Sequence, residues 1–297
     1  MAVDIKGAFA VLGSVYSLSA KSVKRHFSVL VPILLIGLCE AFILVIFYMS
    51  PRRPFVSLLG GPITTMMAGG HGDQFLHYPH NFLVLEKLVR FGYIAMMVVI
   101  GHVLLGVASR MYANAYENRP PALGGSLLQG LRFWLSTVVA WSLPFAANWG
   151  VLKGLTALGR SMFADTMQVA GMGPEVWQGV FKTLYVVLSV VIDVVVLYTI
   201  PSIVAEGKRV WPAFVRSFMV MRSAKLISLC IVLVPTVLQL LYIWVAARLR
   251  SAYSDDFPDI VVHIAALAIL VRFLSEVLLR LPATTTLLLV RDSEEAA

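Results

Sequence analysis

A chain of 297 residues that is 59% hydrophobic and 13% charged, with a mean hydropathy of +0.84, has too little polar surface to clothe a water-soluble globule of its size. Its net charge of +8 does not point to nucleic acid, because Lys and Arg stand at the ends of apolar runs rather than in a solvated patch interleaved with aromatics. Membrane lipids are the expected anionic partner, in an all-α polytopic membrane protein read as one domain, 1–297, with no cofactor.

Met1 to His26 does not read as a cleavable signal peptide: the first apolar run begins only at Phe27, is 23 residues long, and lacks a small-x-small cleavage site. Ala8 to Val23 sets Phe9, Leu12, Tyr16 and Val23 near one helical face and ends in Lys21, Lys24 and Arg25, the pattern of an interfacial helix. Six runs are then long enough to cross roughly 30 Å of hydrocarbon as helices. They cover 27–49, 91–109, 133–152, 183–205, 226–247 and 260–279, the last extending to 290 if the helix passes Pro282. Open strands cannot satisfy their backbone in lipid, and no ten-residue alternation suggests a barrel.

The six spans form three expected hairpins, each preceded by a cytoplasmic amphipathic helix: Ala8 to Arg25, Leu123 to Arg132 and Trp211 to Lys225. Leu123, Leu127, Leu131 and Trp134 share one face of the second, and Phe214, Phe218 and Met221 one face of the third. The core of the third, from Pro212-Ala213-Phe214 to Ser217 and Met219, matches Pro121-Ala122-Leu123 to Ser126 and Leu128, 91 residues earlier, which suggests an internal repeat. With both termini cytoplasmic, that face carries Lys6, Lys21, Lys24, Arg25, Arg110, Arg119, Arg132, Lys208, Arg209, Arg216, Arg222, Lys225 and Arg291. These outnumber Arg52, Arg53, Lys87, Arg90, Lys153, Arg160, Lys182, Arg248 and Arg250 opposite, as the positive-inside rule requires. Lys21, Lys24, Arg25, Lys208, Arg209, Arg216, Arg222 and Lys225 are the candidate headgroup contacts.

The fourth span ends in Pro201-Ser202-Ile203-Val204-Ala205-Glu206-Gly207, and the next helix opens Trp211-Pro212-Ala213-Phe214 and carries Ser217 before a basic exit. This resembles a broad group of six-span bacterial inner-membrane proteins, among them the membrane domain attached to some glycerophosphodiester phosphodiesterases. The sequence contains no soluble phosphodiesterase domain, so no catalytic residue is carried over. The resemblance implies a multi-pass protein of the bacterial inner membrane without chemistry of its own.

Polar groups inside the spans are the strongest functional leads, because a carboxylate in lipid must be paired, protonated or wet. Glu40 and Asp193 each lie in a long uncharged run. A relay or polar substrate contact is the functional reading; a buried hydrogen bond to another helix is the structural one. Arg272 and Glu276 stand at i and i+4, where they are expected to pair with each other, and Glu40 or Asp193 reaching Arg272 would make one network. His102 and His263 are expected to be hydrogen-bonded core histidines, Asn148 and Gln239 to bond across helices, and Cys39 and Cys230 to pack as small apolar groups.

Outside the spans, His71, Asp73, His77 and His80 could bind zinc or copper, but Gly69, Gly70, Gly72 and Pro79 impose no geometry on them. A solvated loop without metal is expected. Glu86 and Arg90 read as an i, i+4 pair at a span mouth, and Ala146, Gly150 and Gly154 as a close-packing row that serves internal packing or a dimer, internal packing being the commoner use. No Walker loop, His-Glu-x-x-His, Gly-x-Ser-x-Gly or Rossmann glycine pattern occurs. The expected protein is therefore not an enzyme. It is a scaffold, a subunit beside other membrane proteins or a lipid-interacting organiser, with a carrier or channel for a small solute or lipid as the alternative.

Overall fold

The computed structural model describes residues 5–66, 81–165, 174–253 and 257–296, and among these there is no strand. His71, Asp73, His77 and His80 lie outside the described residues. The helices in chain order are α1 (Ile5–Arg25), α2 (Val31–Tyr48, led by a 3₁₀ turn at Phe27–Leu30), α3 (Phe55–Met66) and α4 (Asn81–Met96). A π turn, Met97–Gly101, joins α4 to α5 (His102–Tyr116), and α6 (Leu123–Asp165), α7 (Pro174–Val196), α8 (Thr199–Ala205) and α9 (Val210–Ser223) follow. Last come α10 (Lys225–Tyr253) and α11 (Ile260–Glu295).

Among the described residues six helices are long and apolar enough to cross a membrane: Phe27–Tyr48, Leu85–Tyr116, Leu123–Gly159, Gly179–Ala205, Lys225–Tyr253 and Ile260–Glu295. Most outrun the apolar cores read from the sequence, because a helix continues through terminal Arg and Lys whose long stems carry the charge outward. The sixth does pass Pro282, where Thr284, Thr285 and Thr286 each bond a carbonyl four residues back.

The second amphipathic segment, Leu123 to Arg132, is not a separate helix but the first turns of α6. Its apolar stripe also points the other way: Leu123, Leu127, Leu131 and Trp134 face outward, while Ser126, Gly130, Thr137 and Ala140 face the bundle. In α9, Ala213, Ser217 and Val220 are buried and Trp211, Phe218 and Met219 exposed; in α1, Val15 and Ser19 are buried and Phe9 and Leu18 exposed. Lipid is as apolar as leucine, so burying large side chains gains little, and small residues that let helices approach take the inner face. A close approach joins α5 and α6, where Gly106 faces Gly130 across backbone. By contrast Ala146, Gly150 and Gly154 turn outward, and a Cβ on either of these two glycines would meet nothing within 4 Å. The close-packing row expected there is thus not used inside the protein.

Breaks in the helices are met by side chains from neighbours. The π turn exposes the Val98 carbonyl, which accepts the Trp134 indole N–H at 2.7 Å. At the gap between α7 and α8, the Ser217 hydroxyl donates to Val195 O at 2.6 Å and accepts from the Tyr198 N–H at 3.1 Å. Tyr198 in turn shares a hydrogen bond with Ser228 at 2.7 Å, so α9 clamps this break while α10 holds its tyrosine. Ser217→Ala leaves two buried backbone groups without that partner, and a loss of about 1–3 kcal/mol, read as an earlier thermal midpoint in detergent, is the expected result. An unchanged midpoint would show that the break needs no clamp.

One end of the bundle gathers α1, α9, the α5–α6 and α8–α9 turns and the last turns of α11. Thr285 bonds both Ser19 of α1 (2.9 Å) and Tyr112 of α5 (2.6 Å), Arg25 donates to Asn118, and Arg291 pairs with Glu117. The two turns each use a left-handed residue two positions past the helix end, Asn118 (φ 57°) and Gly207 (φ 68°). This is called the α9 end below; the α10–α11 turn lies at the opposite end.

Candidate functional site

The polar centre is built on α11, where Arg272, Glu276 and Arg280 stand four residues apart. One helical face therefore presents them in a row, each about 6 Å further along the axis. Glu40 enters from α2, on the buried side of that helix with Ile33, Ile36 and Leu44. Its carboxylate lies 2.9 Å from Arg272 Nε, with side-chain exposures of 5% for Glu40 and 32% for Arg272. The two groups form a close ion pair between α2 and α11. The other side of the guanidinium lies over the Tyr93 ring, 4.7 Å from its centroid.

One turn on, Glu276 accepts from Arg280 Nε at 2.9 Å. The pairing differs from the expected one: Arg272 and Glu276 do not bond each other, because Glu40 claims Arg272 and Glu276 turns to Arg280. Arg280 was not among the sequence candidates, although its i+8 position relative to Arg272 was the available signal.

Asp193, on α7, does not reach Arg272. It lies against the Asn148 side chain and within the field of Arg280, and Asn148 accepts the Ser189 hydroxyl at 2.8 Å. Asp193, Glu276 and Arg280, with Thr199, Thr236, Gln239 and Ser275, line a cavity of about 180 Å³ between α6, α7, α8, α10 and α11. A second cavity of about 390 Å³ lies further toward the α10–α11 turn, with Arg272, Tyr93 and Trp141 among its lining. Trp141 borders both cavities, stacks on Phe145 at 5.3 Å, and meets His102 at 5.0 Å. His102 is fully buried with neither ring nitrogen bonded to any described residue, unlike the hydrogen-bonded histidine expected. His263 is exposed and contacts the Asp259 carbonyl at 3.2 Å.

At the rim of the second cavity Glu86 pairs with Arg250 at 2.6 Å rather than with Arg90, so the expected i, i+4 pair is replaced by one between α4 and α10. Arg90 forms no ion pair with any described residue. Of the basic residues expected at headgroups, Lys21, Lys24, Arg25, Arg209, Arg222 and Lys225 are exposed near the α9 end. Lys208 pairs with Glu206 at 2.8 Å. Arg216 is only 11% exposed and is held by Glu294 at 2.7 Å and Glu206 at 3.4 Å. The Glu294 hydrogen bond holds its guanidinium above the usual range. Arg216 thus joins α9 to the end of α11.

No family model matches the sequence, and no curated protein or solved structure shows significant similarity to it.

Proposed function

We propose that the protein is a carrier or channel for a small solute or lipid, with Glu40, Arg272, Glu276, Arg280 and Asp193 as its polar path. The observation that supports this reading is the arrangement of that row. Four of these charged groups border two neighbouring cavities, Arg272 the larger and Asp193, Glu276 and Arg280 the smaller, while Glu40 joins the row through its ion pair with Arg272. Intramembrane ionisable groups on a cavity mark solute pathways more often than groups sealed between helices. The path binds and passes its ligand without covalent chemistry. We place the protein in the bacterial inner membrane with the α9 end cytoplasmic, related to the six-span group that the 201–214 junction resembles; the excess of Lys and Arg at that end supports this orientation.

Proteoliposomes are the test, challenged in turn with protons, amino acids, phosphate and a fluorescent phospholipid. Asp193→Asn and Arg280→Met are expected to cut the transported probe's flux at least about tenfold while the protein stays monodisperse. Unchanged flux in both variants, or no probe moving at all, would overturn the reading.

A second reading has its own observation. Beside the basic residues of the α9 end, α9 exposes Trp211 (72%), Phe218 and Met219, and α1 exposes Phe9. Amphipathic helices of this kind serve scaffolds, complex subunits and lipid organisers. Gentle extraction and mass spectrometry of retained proteins and lipids separates it from the first, since a chain with no retained partner or lipid rules it out.

A further inference from the structure

We propose that the 390 Å³ cavity between α4, α6, α10 and α11 is a binding site for an anionic lipid, whose phosphate is held by Arg90 and Arg250 and whose chain enters beside Phe145 and Ala268. The inference rests on the carrier reading for its purpose but not for its chemistry. Among the described residues the charged groups of the lining are Arg90, Arg250 and Arg272 with Glu86, an excess of cation. Arg272 at the inner part is already matched by Glu40, and Arg250 is partly matched by Glu86. Among the described residues Arg90 has no acidic partner, and it stands at the rim, at the end opposite α9.

Below the rim the walls change character. Val89, Ile94, Phe145, Val261, Ala265 and Ala268 present apolar surface, and the volume falls within the usual range for small-molecule sites. A free phosphate or other small anion would satisfy the rim and leave these walls facing water. An acyl chain satisfies both. Access comes from the side: α4 and α10 each pack on α11, whereas α6 packs along neither of them. On this proposal the lipid enters between α6 and α4, which do not pack closely on each other.

The experiment uses the full purified chain and native mass spectrometry, with phosphatidylglycerol and phosphatidylcholine of identical chains as probes. Phosphatidylglycerol is expected to be retained about tenfold better, the preference that a charge-assisted phosphate contact supplies. Arg90→Gln/Arg250→Gln should abolish that preference. Arg53→Gln/Lys153→Gln, which removes two exposed cations outside the cavity lining, should keep it. Both Arg90 and Arg250 are exposed, so loss of fold is not expected, and circular dichroism of the variant checks this. Equal retention of the two lipids, full preference in the Arg90/Arg250 variant, or displacement of phosphatidylglycerol by millimolar inorganic phosphate would overturn the proposal. Failure of the flux assay with lipid preference intact would overturn only the carrier reading.

Discussion

Glu40→Leu is expected to destabilise the protein by about 3–5 kcal/mol, and Arg272→Met by a similar amount, while the double variant regains most of the loss. Either single change leaves a charge inside the bundle without its partner at 2.9 Å. For Arg272→Met the survivor is a carboxylate whose side chain is 5% exposed, so neither water nor another cation reaches it as Arg272 does. For Glu40→Leu the survivor is one-third open to the larger cavity and still lies over Tyr93, which places its cost at the lower end. Removing both charges removes the desolvation cost along with the attraction. Reversible unfolding of the four proteins in mixed micelles gives the coupling energy directly. Additive losses would mean that the two side chains do not depend on each other.

The second large effect lies at the α5–α6 crossing. A Cβ at Gly130 would fall 2.8 Å from both the Val103 carbonyl oxygen and Val107 Cγ2. The oxygen belongs to backbone, so no rotamer change relieves the clash and the helices must separate. Gly130→Ala is expected to cost about 1–3 kcal/mol and Gly130→Val more, since added methyls in packed interiors force the surroundings to shift. Separation would also loosen Ser126, Thr137 and Ala140, which share the inner face of α6, and the Trp134 bond to the π turn. Gly150→Ala is the matched control: nothing lies within 4 Å of its Cβ position, and the better helix propensity of alanine is worth roughly 0.5–1 kcal/mol. Thermal midpoints should therefore move in opposite directions for the two glycines. Equal tolerance would show a crossing looser than the contact distances imply.

The number and position of the spans could be read from the chain because hydrocarbon thickness leaves one kind of solution to a run of twenty apolar residues. Glu40, Asp193, Arg272 and Glu276 could be singled out for the same reason: a charge in such a run is costly wherever the neighbouring helices stand. Their partners could not. Arg272 had a carboxylate four residues away on its own helix, yet the pair it makes is with Glu40, more than two hundred positions earlier, because α2 packs against α11 at that level. Glu86 likewise had Arg90 one turn away and pairs with Arg250 instead.

Which face of a helix turns inward was the other thing hidden. The stripe Leu123, Leu127, Leu131 and Trp134 on α6 faces outward and that on α9 is divided, Phe218 outward and Met221 against the core, because the rule that large apolar residues mark the core belongs to proteins whose outside is water. Here the outside is apolar, so Leu127 and Phe218 point outward and Ser126 and Ser217 inward.

What the sequence alone determined is the class of the protein, its six spans and the cost of its buried charges, all set by transfer of residues from water to hydrocarbon. The tertiary structure decided which charges meet, that two cavities lie along α11, and that Ser217 closes the break between α7 and α8. Those outcomes depend on distances between segments remote in the chain, and hydropathy carries no information about such distances.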